Sequence, residues 1–247
     1  MTDPLFLTDL GEMLPGPGAV VELTGSEGRH AAVVRRIGPG ETVVLSDGRG
    51  HAITGPVLSV SKTGLTVRVD RQLSQPEPAL RIVAVQAVAK GDRSDVAIEA
   101  MTEVGVDQIV PWQASRSIVR WSADRAEKSL EKWRSSVREA AKQSRRLWVP
   151  EVTPAASTAQ VVTMVDMVDR ALVLHEGAQI WLDPISLPRQ GSVMIIIGPE
   201  GGISTEELAA FTAAGAEPVL VSDAVLRTST AGVVAAGIVR AGTGRVR

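Results

Sequence analysis

Val193-Met194-Ile195-Ile196-Ile197-Gly198-Pro199-Glu200-Gly201-Gly202-Ile203-Ser204-Thr205-Glu206-Glu207 is the stretch from which the fold of this chain can be read. Residues 193–197 form an unbroken apolar run, short and rich in β-branched side chains, as a strand buried on both faces requires. A glycine-rich turn follows at 198–202. Ser204 stands three residues before Glu207, the spacing of a capping box, and so opens a helix that extends to Gly215. Strand, tight turn and helix in that order are the grammar of a parallel sheet with helices packed on its faces.

The same grammar spreads outward. Strands are expected at 80–88, 108–111, 171–175 and 218–221. Helices are expected at 92–104, stopped by Gly105 as a C-cap, and at 122–146, 157–168 and 228–240. In the helix at 122–146, Ala126, Leu130, Trp133, Val137 and Ala141 recur on one face. Ligands of such sheets bind beyond the carboxyl ends of the strands. Three loops occupy that place: Leu174-His175-Glu176-Gly177, Gly198-Pro199-Glu200-Gly201-Gly202, and 222–231. The middle loop is neither a dinucleotide fingerprint, because G-x-G-x-x-G is missing, nor a P-loop, because no G-K-[ST] follows. No serine sits in a G-x-S-x-G elbow.

The first 75 residues or so obey a different grammar. Short apolar runs at 19–23, 31–34, 42–45, 57–60 and 65–69 are separated by turn residues, among them Gly38-Pro39-Gly40 and the hairpin dipeptide Asp47-Gly48. Strands at that spacing predict a small barrel or sandwich. Ser74-Gln75-Pro76-Glu77-Pro78-Ala79 reads as a linker, which places a domain boundary there and divides the chain into 1–74 and 75–247.

Composition narrows the chemistry. The 247 residues contain no cysteine and 3 histidines, which excludes disulfides and thiolate metal sites and leaves little from which to build a histidine metal site. No apolar run reaches the ~20 residues of a membrane span. The acidic N-terminal stretch lacks the basic start and apolar run of a secretory signal, so the expected location is cytoplasmic. The net charge of −2 is an average over an uneven chain. Residues 112–149 carry 10 basic and 4 acidic side chains, a local net of +6, and most of the basic ones are arginine. Such a run is ordinarily a solvated helix face, but the planar guanidinium also suits phosphate oxygens.

The loop sequences carry a resemblance. Residues 195–204 with Glu206-Glu207, and Leu226-Arg227-Thr228 with Thr230-Ala231, resemble the second and third motifs of the SPOUT RNA methyltransferases. Lys90-Gly91-Asp92, Glu103-Val104-Gly105-Val106, the tract 139–146 with Pro150, and the N-terminal segment 29–35 extend the likeness to the ribosomal RNA small subunit methyltransferase E family. Ser229 departs from the pattern: the family has a glutamate there, so no carboxylate role is carried to this position.

The resemblance implies a PUA-like β-barrel over 1–74 and a SPOUT domain over 75–247, an α/β parallel sheet ending in a trefoil knot. It implies S-adenosylmethionine as cofactor, held by Leu174, His175, Gly177, Ile197, Gly198, Gly201, Val221, Ser222, Leu226, Arg227 and Thr228, with no metal. The implied reaction is methylation of N3 of a uridine in 16S rRNA of the small ribosomal subunit. That nitrogen must lose a proton, so Arg227 is expected to stabilise the developing anion, with Glu200 or His175 as proton acceptor. Arg116, Arg120, Arg125, Lys128, Lys132, Arg138, Lys142, Arg145 and Arg146 are expected to hold RNA phosphates. Trp112, Trp121, Trp148 and Trp181 are candidates for base stacking, whereas Trp133 belongs to the apolar stripe. A homodimer is expected, with the small residues of 231–237 allowing close helix approach either across it or within one chain. The alternatives are a ribose 2′-O RNA methyltransferase of the same superfamily and a non-catalytic RNA-binding assembly factor.

Overall fold

The computed structural model describes residues 3–242, and the chain divides into two compact units. One gathers the residues up to Glu77 together with Ala141–Val149. The other comprises Pro78–Ala140 and the residues from Pro150 onward. The short stretch at 141–149 therefore groups with the N-terminal unit despite its position in the sequence.

In the N-terminal unit, strands β1 (Leu5–Leu7), β2 (Val20–Leu23), β3 (Thr42–Ser46), β4 (His51–Val60), β5 (Leu65–Arg68) and β6 (Arg71–Ser74) form one sheet. β1 pairs with β3 in parallel, and the remaining pairings are antiparallel. β4 is long enough to pair with β6 through its first half and with β5 through its second. Gly55 stands at the changeover, where a Cβ would lie 1.8 Å from the Arg68 carbonyl oxygen, so only glycine lets the two backbones come this close. Phe6, Leu23, Val43, Leu45, Ile53 and Val67 fill the core beneath.

The expected strand at 31–34 is instead helical. α1 (Gly25–Arg29) runs into a π-helical turn at His30–Val34. Ala31 is buried while Val33 and Val34 are exposed, so this apolar run has one buried side and no sheet partner. Lys142 is a second correction. It is buried, and its Nζ donates to Glu27 Oε1 at 2.7 Å, so it stands in the interior of this unit and offers no solvent-facing grip for phosphate.

The C-terminal unit alternates strands and helices: β7 (Leu80–Ala87), α2 (Arg93–Val104), β8 (Gln108–Trp112), α3 (Ala123–Ser144), β9 (Glu151–Val152), α4 (Thr158–Val165), β10 (Arg170–Leu174), β11 (Gly191–Ile197), α5 (Thr205–Ala213), β12 (Glu217–Val219) and α6 (Thr228–Gly242). The last residues of α3 belong to the N-terminal unit. All strand pairs are parallel, in the spatial order β12-β10-β11-β7-β8-β9. The order runs outward from β7 to β8 and β9, then restarts on its other side with β11, β10 and β12. The switch point therefore lies between β7 and β11, where ligand crevices form.

Local chemistry starts and stops these elements as the sequence predicts. Gly105 closes α2 at φ 107°, and Ser157 and Ser204 form complete capping boxes with Gln160 and Glu207. Alternate strand residues serve the two sheet faces. Val85, Trp112, Val173 and Ile196 pack with Val161 and Phe211 on one face. On the other, Gly232 of α6 sits so close that a Cβ would lie 2.7 Å from Met101 Sδ and 3.3 Å from Ile197 Cγ1. The small residues of α6 thus serve packing within the chain.

Arg240 anchors the far end of α6. Its guanidinium donates to the carbonyl oxygens of Gly105 and Leu80 and pairs with Asp107, whose carboxylate also accepts from the Ile82 N–H. Replacing Arg240 by Ala strips two carbonyls and a largely buried carboxylate of their partner. It should cost about 2–3 kcal/mol, less than a fully buried pair because Arg240 keeps some solvent access. Urea unfolding should show a lower midpoint with an unchanged slope.

Candidate active site

The three loops meet where the strand order restarts. Gln86, at the end of β7, lies opposite Ile197 of β11. Its buried Nε2 donates to Thr228 Oγ1 at 3.0 Å, and that hydroxyl donates onward to the Gly198 carbonyl at 2.7 Å. One hydroxyl thereby joins β7, the glycine turn after β11 and the start of α6.

Each loop carries its own bracing. In the first, the Gly177 N–H donates to His175 Nδ1 at 3.1 Å. A neutral ring with Nδ1 accepting carries its hydrogen on Nε2 and so presents a donor there. In the second, Gly202 takes φ 72° and its N–H donates to the Pro199 carbonyl. Glu200 Oε1 accepts from the Lys90 N–H at 3.1 Å and from Arg93 Nη1 at 3.0 Å. Burial pushes the Glu200 carboxyl up. Its own N–H, that of Lys90 and the Arg93 guanidinium together outweigh burial, and the pKa sits below the ordinary glutamate value. In the third loop, the Ser222 hydroxyl accepts from the Ala224 N–H, and the Arg227 carbonyl accepts from the first turn of α6.

Two adjoining clefts result. The smaller, of about 170 Å³, is walled by Leu174, His175, Val221, Ser222 and Leu226. The larger, of about 530 Å³, is walled by Ile197, the whole turn Gly198–Gly202, Leu226, Arg227 and Thr228, with Arg93 and Arg116 also lining it. Leu174, Leu226 and Ala231 face both. Of the expected cofactor residues, Gly177 alone lines neither, since it is folded against the His175 ring. Glu200 and Arg227 share the larger cleft, whereas His175 faces the smaller one. The Arg227 side chain is exposed and makes no hydrogen bond or ion pair among the described residues.

Two contributors escaped the sequence reading. Arg93 sits 107 residues from Glu200 in the chain, and nothing local signals that they meet. Glu207 does more than cap. Its buried carboxylate accepts from the Ser115 N–H and hydroxyl, the Thr158 hydroxyl and the Ser204 N–H, which ties the segment after β8 to α5 and carries Arg116 to the cleft.

The expected phosphate contacts divide. Arg116, Arg120, Arg125 and Lys128 are exposed, and Arg120 donates to the Ser115 carbonyl. Lys132 pairs with Asp95 and Arg138 with Glu131, so part of the local positive charge is answered on the surface. Arg145 is exposed at φ 57°, and Arg146 is half-buried. Trp112 and Trp133 are buried, so neither is open to a base; Trp121 packs edge-on against Trp133. Trp148 Nε1 donates to the Gln75 and Pro76 carbonyls, and Trp181 is half exposed.

Comparison with known proteins agrees with this geometry. Residues 75–240 match the RNA methyltransferase domain family, and residues 23–70 match the RNA methyltransferase PUA domain family. The chain is 45% identical to the ribosomal RNA small subunit methyltransferase E of Mycobacterium bovis, covering 99% of this chain and 94% of that protein. It is 30% identical to the protein of the same name from Bacillus subtilis, covering 85% of each. A protein of Legionella pneumophila, solved with bound cofactor SAM, superposes with TM-score 0.86 at 29% identity, covering 98% of both chains. The ribosomal RNA small subunit methyltransferase E of Neisseria gonorrhoeae, bound to S-adenosylmethionine, gives 0.84 at 26% identity, covering 97% of this chain and 98% of that one.

The Thr228 hydroxyl offers a direct check on how the loops are held. Thr228→Val keeps shape but leaves the Gly198 carbonyl without its donor and Gln86 Nε2 without the hydroxyl acceptor. It should cost about 1–3 kcal/mol. Hydrogen exchange should show the loss of protection concentrated at residues 198–202 and 226–231.

Proposed function

The chain belongs to the ribosomal RNA small subunit methyltransferase E family, and from that membership we propose that it methylates N3 of a uridine in 16S rRNA of the small ribosomal subunit, using S-adenosylmethionine. The observation that carries this reading is the pair of adjoining clefts formed by the three strand-end loops: one apolar-walled and small, the other larger and lined by arginines.

The lining fits the cofactor. Leu174, Leu226 and Ile197 provide apolar walls for an aromatic base. The glycine turn and the segment 219–224 bring backbone N–H and C=O groups to the cleft edge, where they can read the adenine rim and the ribose. When bound, the cofactor supplies a methyl group on a positively charged sulfur. The protein supplies the remainder: binding, alignment and the electrostatics of the acceptor.

The acceptor nitrogen bears a proton at neutral pH; that proton passes to solvent water, and its removal leaves negative charge on the base. Arg227, unpaired and facing the larger cleft, is placed to stabilise that charge. Glu200 lines the same cleft, but its lowered pKa and its bonds to Lys90 and Arg93 make it a weak base. His175 faces the other cleft and offers its Nε2 as a donor. Anion stabilisation by Arg227 is thus the larger protein contribution, and Glu200 acts mainly by holding its neighbours in place.

A trefoil knot accords with the path of the chain. After β12, at the sheet edge, the chain returns over the ends of β10 and β11 so that Thr228 reaches Gln86 and Gly198. A homodimer accords with the exposed apolar side chains Ile180, Trp181, Ile185 and Val225. The domain division at 74/75 accords with the separate β-rich and α/β contact units, and the PUA-like unit would offer RNA a second surface. A cytoplasmic location accords with the substrate; no helix among the described residues is long and apolar enough to cross a membrane.

The purified protein, given S-adenosylmethionine and small ribosomal subunits, should yield 3-methyluridine as the modified nucleoside. A 2′-O-methyl product would favour the ribose alternative, and absence of cofactor binding by calorimetry the assembly-factor alternative. Arg227→Ala should lower kcat by about 10²- to 10³-fold at saturating cofactor; an unchanged kcat would remove Arg227 from the mechanism. Because the folded-state pKa of Glu200 is lowered, its carboxylate stays ionised as pH falls until that lowered value is reached. The rate profile should therefore show no carboxylate inflection above about pH 5.

A further inference from the structure

We propose that Arg93 and Arg116 form a two-arginine clamp for the RNA phosphodiester backbone, mounted on the glycine turn and gripping the strand beside the target nucleotide. The proposal rests on the reading of the chain as an RNA methyltransferase and adds where the substrate backbone is held.

Adjacent residues of one turn position the two arginines. Glu200 Oε1 bonds Arg93 Nη1 at 3.0 Å, and the same oxygen accepts the Lys90 N–H, so the strut is itself tied to the backbone before α2. Gly201, next in sequence, lies under Arg116: a Cβ there would come within 3.0 Å of the Arg116 carbonyl and 3.1 Å of its Cβ. Arg116 Nη1 reaches the Gly201 carbonyl at 3.4 Å, a weak bond that leaves its guanidinium largely free. Both guanidiniums keep most of their N–H donors unengaged, and the Arg93 side chain is 46% exposed at the cleft rim.

The charges around the cleft favour an anionic visitor. Arg93, Arg116 and Arg227 face Glu176 and Glu200, and Glu200 is engaged through its Oε1. Asp95, two residues beyond Arg93, is taken by Lys132 at 2.6 Å and so does not compete for it. Glu206, whose carboxylate is held low by its own N–H, the Ser204 hydroxyl and then the charge of Arg116, is the remaining acid near Arg116. A cluster of guanidiniums matches paired phosphate oxygens, each fork donating a bidentate contact. Arg93 and Arg116 line the larger cleft, which they share with Ile197 and the glycine turn, and not the smaller one. The cofactor's own carboxylate is the other oxyanion that could meet them, and the experiment distinguishes it.

Binding to purified small subunits is measured against salt for wild type, Arg93→Ala and Arg93→Lys, with S-adenosylmethionine affinity followed by calorimetry. Arg93→Ala should weaken subunit binding about tenfold, reduce the slope of log K against log salt by about 0.7–0.9, and leave cofactor affinity within twofold. In turnover, KM for subunits should rise more than kcat falls. Arg93→Lys should restore the slope while recovering only part of the affinity, since the point charge remains and the fork is lost. An unchanged salt slope in Arg93→Ala overturns the clamp. So does a loss of cofactor affinity matching the loss of subunit affinity, which would assign Arg93 to the cofactor carboxylate. If the wild-type protein binds subunits yet leaves every uridine unmethylated, the enzymatic reading fails while the salt slope still decides the clamp.

Discussion

A hydroxyl group at position 228 holds the site together. Thr228 accepts from Gln86 and donates to Gly198, and those three residues belong to the first strand of the sheet, the glycine turn and the last helix. The bond from Gln86 is buried and that to Gly198 partly so, where an unmet polar group is costly, so the three segments have strong reason to stay in register. The glycine turn, Arg227 and Thr228 in the larger cleft belong to these segments, and Arg93 and Arg116 are braced against the turn. The cleft's shape therefore depends on a long-range polar contact at the strand switch point more than on the rigidity of any single loop.

Around that pin, the fold separates apolar duty from charged duty. The central strands are buried on both faces and offer little polar chemistry except at their carboxyl ends. Glu207 and Glu200 then do the mounting there, one from beneath α5 and the other from within the turn. Glu207 is held by N–H and O–H donors alone, and Glu200 by the Lys90 N–H and the Arg93 guanidinium. The arginines they position are left with unused donors at the cleft, a useful arrangement for a protein whose substrate is a polyanion.

Much of this was legible from local sequence. Ser204 begins and Gly105 ends a helix through interactions spanning three or four residues, and the structure places them as their spacing predicts; Ser157 caps α4 in the same way with Gln160. The three strand-end loops were likewise visible, because short β-branched runs followed by glycine can hardly be anything else. Residues 31–34 misled, since a short apolar run fits a strand or a one-sided helical turn equally well until burial chooses. Lys142 misled for a related reason: on a helix wheel it belongs with the charged face, and only its encounter with Glu27 removes it from solvent.

The two grammars, the helix caps, the loops that carry the chemistry and the family to which they belong are all written in the linear order of residues. These follow from interactions between near neighbours, or from motifs contiguous in the chain. The tertiary structure decided which strands became adjacent, that Gln86 would meet Thr228, and that Arg93 and Arg116 would converge on one turn. The physical reason is desolvation at long range: a polar side chain's state is set by whatever the fold brings against it. For Arg93 that partner lies 107 residues away, and for Gln86 it lies 142 residues away, beyond the reach of any local pattern.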